Sequence, residues 1–193
     1  MDPRNLIESI ITDANNLADW YNQTFKQPTP VVPPQPISHN GDVLTPQSPI
    51  YKVDRADLPT IQRATSKYPI NNVVPFIYSQ SVKLGIDPVF AVAEAILETG
   101  WGSSNAAQVL HNWYGYMEFV SGVRSLKKFS SDTEGIDTAI TDIYNNYCSP
   151  SGQFFDNGSG RTLYGWAFHW ISGPTVTRDV NTIISIMQQL INA

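Results

Sequence analysis

Ala95-Ile96-Leu97-Glu98-Thr99-Gly100-Trp101-Gly102 places one carboxylate at the end of an apolar run, immediately before a Gly-Trp-Gly turn. The approach to it, Asp87-Pro88-Val89-Phe90-Ala91-Val92-Ala93, reads as a helix start, because Asp87 can cap and Pro88 suits the first helical turn. Val89, Val92, Ala93, Ile96 and Leu97 recur at helical spacing and would face a core. The pattern predicts a helix over 88–99 with Glu98 in its last turn. The partial negative charge at a helix C-terminus and the apolar neighbours both favour the protonated carboxyl. An acid kept protonated near neutral pH is what donating a proton to a leaving sugar oxygen requires. Glycines on both sides of Trp101 let backbone come close to a ligand, and the indole beside the acid offers a flat face to a sugar ring. Taken alone, the same residues also describe an exposed helix end with Gly100 as an ordinary C-cap.

Two further elements follow in order. One is His111-Asn112-Trp113-Tyr114-Gly115-Tyr116, and the other is Phe129-Ser130-Ser131-Asp132-Thr133-Glu134-Gly135-Ile136. With the first stretch, they resemble the glucosaminidase domain of peptidoglycan hydrolases (glycoside hydrolase family 73), part of the wider lysozyme-like superfamily. Its pattern is an acidic residue in A-L-x-E-[ST]-G-W-G, a short helix, N-[LF]-[FW]-G-[IY], a hairpin, and an aromatic-x-S-x-x-E-[AGS]-I element opening another helix. The match runs across roughly residues 70 to 147. It implies a mainly α (α+β) domain, lysozyme-like, with a helical lobe, a small β-hairpin lobe and a cleft between them. It also implies Glu98 as general acid, a peptidoglycan glycan strand as substrate, and no cofactor.

Composition is consistent with a folded core rather than disorder, with 41% hydrophobic and 15% charged residues in 193. A net charge of -5 argues against general nucleic-acid binding. It also supplies no long-range attraction to anionic wall polymers. Cys148 is the only cysteine, so no intrachain disulfide or cysteine metal cluster can form, and it reads as a buried small residue. His39, His111 and His169 lack ligand spacing, so no metal is expected. Met1-Asp2-Pro3-Arg4 does not begin a basic-then-apolar leader, and no stretch is apolar enough to span a bilayer. The expectation is an enzyme without a signal peptide that reaches the wall by another route, such as a phage virion or release from the host cytoplasm.

Three parts are expected. Residues 1–27 hold an amphipathic helix, with Leu6, Ile7, Ile10, Ile11, Leu17 and Tyr21 on one face and acidic residues opposite, which suits a protein partner or the chain's own domain. Residues 28–53 read as a linker, because seven prolines between Pro28 and Pro49 exclude a regular helix or central strand. It either stands off as an extended spacer or lies back along the domain. Residues 54–193 form the catalytic domain. Its expected elements are helices over 72–84, 88–99, 105–110, 133–147, 161–170 and 177–191, with a hairpin over 117–129 turning at Ser121-Gly122.

Catalysis needs a group opposite the acid. Glu134 and Asp132 are the candidates for a second carboxylate, although both also suit helix-start roles, as dipole partner and N-cap. Glu118 at the hairpin start is a further candidate, and Glu94 is a decoy one turn before Glu98 that could act as its partner. Trp101, Asn112, Tyr114 and Tyr116 are expected to line the cleft, while Trp166 and Trp170 are expected in the core. The family's Y-A-T-D-x-x-Y element is replaced here by Trp166-Ala167-Phe168-His169-Trp170-Ile171-Ser172-Gly173-Pro174, which leaves Tyr164 as the nearest tyrosine. Without a positioned second carboxylate, attack by the sugar's own N-acetyl group or by a muramyl 6-hydroxyl stays open. The alternatives are accordingly a lytic transglycosylase or muramidase of the same fold, a chitin- or glycoprotein-directed endoglycosidase, and a non-catalytic glycan-binding or virion module.

Overall fold

The computed structural model describes residues 43–171 and 174–193. The expected N-terminal helix and the first part of the expected linker lie outside them. The described residues build a mainly helical domain with one two-stranded antiparallel sheet, an α+β arrangement of a helical lobe and a small hairpin lobe.

The helices are α1 (Leu58–Thr65), α2 (Val74–Leu84), α3 (Pro88–Thr99), α4 (Asn105–Gln108), α5 (Asp132–Ile143), α6 (Leu163–Trp170) and α7 (Val176–Ile191). α3 is the centre. Asp87 caps it by accepting from the Val89 amide at 3.0 Å, and Gly100, left-handed at φ 57°, ends it. Every residue from Pro88 to Ile96 is buried, so α3 is covered on all sides rather than on one face. α2 and α7 pack against it, α7 through Val180, Ile183, Ile186, Met187 and Leu190. Phe90 of α3 meets fully buried Trp166 of α6 edge-on, ring centroids 4.9 Å apart.

Strands β1 (Met117–Val120) and β2 (Val123–Leu126) pair in the register Met117 to Leu126 and Val120 to Val123. Ser121 and Gly122 both have positive φ (52° and 81°), the twist that a two-residue hairpin turn requires. Where one helix was expected over 133–147, α5 stops at Ile143 and the chain widens into a π turn, Tyr144–Cys148. Cys148 is buried there, and burial pushes its thiol up to about 12, which keeps it unreactive.

Helix α1 was not anticipated. It is capped by Asp57, which accepts from Thr60 N at 2.9 Å. The described end of the expected linker, residues 43–53, is part of the domain rather than a spacer. Ile50 is fully buried, and its amide and carbonyl join Arg161 O (2.7 Å) and Asp87 N (2.9 Å). Lys52 N reaches Gly85 O at 2.7 Å, and Leu163 N reaches Ser48 O at 3.0 Å. Prolines 46 and 49 fit because they contribute no donor, and the Pro46 carbonyl accepts from Tyr164 N at 2.8 Å.

Candidate active site

Glu98 stands where α3 leaves the core. The residue is open to solvent, yet protein crowds its carboxyl from the other sides. A Cβ placed on Gly115 would come within 2.2 Å of Oε2, so the acid lies against bare backbone. Its pKa is raised, first by this partial burial and second by the negative charge of Asp179 on α7. The acid is therefore reachable from solvent and holds its proton to higher pH than an ordinary glutamate.

The turn bearing Gly115 (φ 62°) is fixed by Asn112, whose amide is fully buried. Its Nδ2 donates to Tyr116 O and Lys127 O, both at 2.8 Å, and its Oδ1 accepts from Tyr116 N at 2.8 Å. Asn112 thus joins the Glu98 contact to the hairpin, and its polar atoms face inward rather than toward a ligand. Tyr114 is also buried, donating its hydroxyl to Ala91 O at 3.1 Å. Asn112 and Tyr114, expected to line the cleft, thus both lie in the interior with their side-chain polar atoms bonded to protein backbone. Tyr116 remains half-exposed beside Trp170, ring centroids 6.3 Å apart.

Trp101 follows the acid in a run of three left-handed residues, Gly100, Trp101 and Gly102 (φ 57°, 62° and 84°). Thr99 Oγ1 accepts from Gly102 N at 3.0 Å. A Cβ on Gly102 would sit 2.7 Å from Ile70 N and 2.9 Å from the Trp113 ring, so only glycine fits.

Each of the two carboxylates expected after the hairpin commits one oxygen to neighbouring protein groups. Asp132 Oδ1 accepts from Trp113 Nε1 and lies against His111 Nδ1, both at 2.8 Å. The N-cap of α5 is Ser131, not Asp132. Glu134 accepts from the amide and hydroxyl of Ser130, which holds its carboxyl below the usual range. Glu118 pairs with Ser125 across the hairpin. Tyr164 lies near Phe168, ring centroids 6.3 Å apart, and its amide is tied to Pro46; no contact connects it to Glu98 among the described residues.

Three acidic residues near this region were missed or set aside in the sequence. Asp179, in the first turn of α7, reads in sequence as a simple dipole partner. Asp142 is half-buried, accepts from Asn146 Nδ2 at 2.7 Å, and is raised in pKa by burial. Glu94 is completely buried, and burial keeps its carboxyl well above the ordinary range. A cavity of about 370 Å³ lined by Asp54, Arg55, Ala56, Asp57, Thr60 and Ile191 includes none of the residues around Glu98. Among the described residues no group of three His, Cys, Asp or Glu is placed to hold a metal, and no helix is long and apolar enough to cross a membrane.

A solvent-reachable carboxyl with a raised pKa at the end of a buried helix is the arrangement that protonation of a glycosidic oxygen calls for. Residues 74–163 match the model of the glucosaminidase family, described as mannosyl-glycoprotein endo-beta-N-acetylglucosaminidase. The match contains Glu98, the Asn112–Tyr116 turn, the hairpin and α5. Among solved structures, the chain is similar to the catalytic domain of the autolysin Auto from Listeria monocytogenes, with 19% identity over 69% of this chain and 90% of that one, at a TM-score of 0.43. No curated protein matches it.

Proposed function

We propose that this domain is a peptidoglycan hydrolase of the endo-β-N-acetylglucosaminidase type, which cuts β-1,4 bonds of the glycan strand with Glu98 as general acid. The observation that carries the proposal is the setting of Glu98: open to solvent, seated against Gly115, with its pKa raised by partial burial and by Asp179. Glu98 donates its proton to the leaving glycosidic oxygen as positive charge builds at the anomeric carbon.

A second reading concerns what meets that charge. Asp132 and Glu134 already spend acceptor atoms on Trp113, His111 and Ser130. This favours chemistry without a positioned protein nucleophile, either attack by the substrate's own N-acetyl oxygen or anhydro-forming attack by a muramyl 6-hydroxyl. The test is digestion of purified peptidoglycan by wild type and Glu98→Gln, with products identified by mass spectrometry. Release by wild type, lost in the variant, is the expected result. Reducing-end N-acetylglucosamine marks the glucosaminidase, reducing-end muramic acid a muramidase, and anhydro-muramic acid the transglycosylase. No release by wild type overturns the proposal in favour of a binding module.

The same reading places the enzyme on a phage particle, tethered to a protein partner through the amphipathic pattern of residues 1–27. Support comes from that pattern and from the prolines that follow it. The protein should then pellet with virions, and deletion of residues 1–27 should release it. Unchanged location after the deletion would sink the tether.

A further inference from the structure

Trp101 adopts a conformation that a bulky residue rarely takes. At φ 62° an L-residue with a large side chain is strained, and here its two neighbours are glycines in the same region. Strain of this kind persists only where surrounding structure enforces it, and it is found preferentially at ligand-contacting positions. Trp101 is partly buried and packs in part against the core. Beneath the turn, Gly102 packs on Ile70 and on Trp113, which is 3% exposed and closes the interior. The Trp101 ring also meets Tyr68, centroids 4.2 Å apart and planes inclined by 32°. Tyr68 is 42% exposed, so the stacked pair opens to solvent.

The pair is also held in place from both sides. Tyr68 N donates to Thr65 O at 2.9 Å, Asn71 N donates to Tyr68 O at 3.1 Å, and Ile70 N donates to Trp101 O at 3.2 Å. Trp101 follows Glu98 by three residues, whereas Tyr68 precedes the matched family segment, which begins at residue 74.

We infer that Tyr68, backed by the Trp101 ring, presents its outer face as a stacking platform for a pyranose ring of a β-1,4-linked N-acetylhexosamine strand, a binding subsite at the turn that follows the acid. The inference rests on the function proposed above. Pyranoses present apolar C–H faces, and a fixed aromatic surface binds them at little entropic cost because its rings are already ordered. The platform adds affinity equally to the ground and transition states, so it acts on KM and not on kcat.

The experiment uses the full chain. Binding of chitohexaose to Glu98→Gln is measured calorimetrically, alone and combined with Tyr68→Ala, Tyr68→Leu or Tyr68→Phe. Release from peptidoglycan is measured with Glu98 intact. Tyr68→Ala and Tyr68→Leu are expected to weaken chitohexaose binding about ten-fold and to raise KM with kcat retained, while Tyr68→Phe, which keeps the ring, stays near the parent. Leucine preserves apolar bulk, so a loss shared by Ala and Leu but not Phe is a stacking effect rather than a folding one. Equal affinity with and without the Tyr68 ring, or no chitohexaose binding by Glu98→Gln, overturns the platform. Failure of wild type to release glycan overturns the proposed function, and the binding measurement still decides the platform separately.

Discussion

Glu94 sits one helical turn before Glu98 on α3, and the two carboxyls live in opposite surroundings. Glu98 is open to solvent along one side, whereas Glu94 is fully buried and neither of its oxygens has a hydrogen-bond partner of ordinary geometry among the described residues. An ionised carboxylate in that position would be costly, so Glu94 takes up a proton instead. Burial is the main cause; the charges of Glu98 and Asp179 add to it, and the nearby Trp170 indole opposes it weakly.

Glu94 should therefore behave as a neutral group, and Glu94→Gln should fold and keep its hydrolytic rate, whereas Glu98→Gln should lose about 10²- to 10⁴-fold. The burial of Glu94 also shapes how stability responds to pH. A carboxyl whose folded pKa lies above its unfolded value binds its proton more tightly when folded. Its contribution is complete below the unfolded pKa of about 4.3 and is lost as pH rises toward the folded value. Wild type should thus lose stability with rising pH over that window, and Glu94→Gln should flatten the slope. Denaturant melts at a series of pH values measure this; parallel slopes in the two proteins would show that Glu94 is ionised when folded.

Gly115 provides the floor under the acid. Gly115→Ala places a methyl 2.2 Å from Glu98 Oε2 at a φ of 62°, so both the side chain and the turn must shift. Misplacing a catalytic group by about 1 Å costs on the order of 10² in rate. The expected outcome is a fall of that order in glycan release with a cooperative melt retained. Full activity in the alanine variant would mean that Glu98 works from another rotamer.

Much of this domain is legible in the sequence because its signals are local. Asp87-Pro88 and Gly100 bracket α3, and Ser121-Gly122 turns the hairpin, each by backbone preferences that need no distant partner. Asp57 followed by Leu58-Pro59 carried the same cap-and-proline signal for α1, hidden by its place next to a proline-rich run. The surroundings of the acid are less legible. Burial of Glu94, Asn112 and Tyr114 depends on α7, the hairpin and α3 closing over them, and one-dimensional spacing does not record that closure. The partnership of Asp179 with Glu98 joins positions 81 residues apart through helix packing alone.

Asn112 should be a stability residue with an indirect effect on activity. Asn112→Ala removes three hydrogen bonds and leaves the Tyr116 amide and the Lys127 carbonyl without that partner, while the Tyr116 carbonyl still accepts from Lys127 N at 2.9 Å. Unsatisfied buried groups cost about 1–3 kcal/mol each, partly recovered by relaxation, so a loss of about 3 kcal/mol is expected in denaturant titration. A loss below about 0.5 kcal/mol would show that the turn holds without its amide clamp.

Asp179 should set the upper pH limit of catalysis. A general acid works only while protonated, so kcat/KM should fall as pH rises through the raised pKa of Glu98. Partial burial is the larger cause of that shift and Asp179 the smaller, and only the smaller can be removed without remaking the site. Asp179→Asn deletes the like charge, which makes ionisation of Glu98 easier and moves the alkaline limb to lower pH. The plateau at low pH should be unchanged, because Glu98 is protonated there in both proteins. A pH–rate profile of the two proteins on one glycan preparation distinguishes this from a structural effect, which would lower the plateau and leave the limb in place.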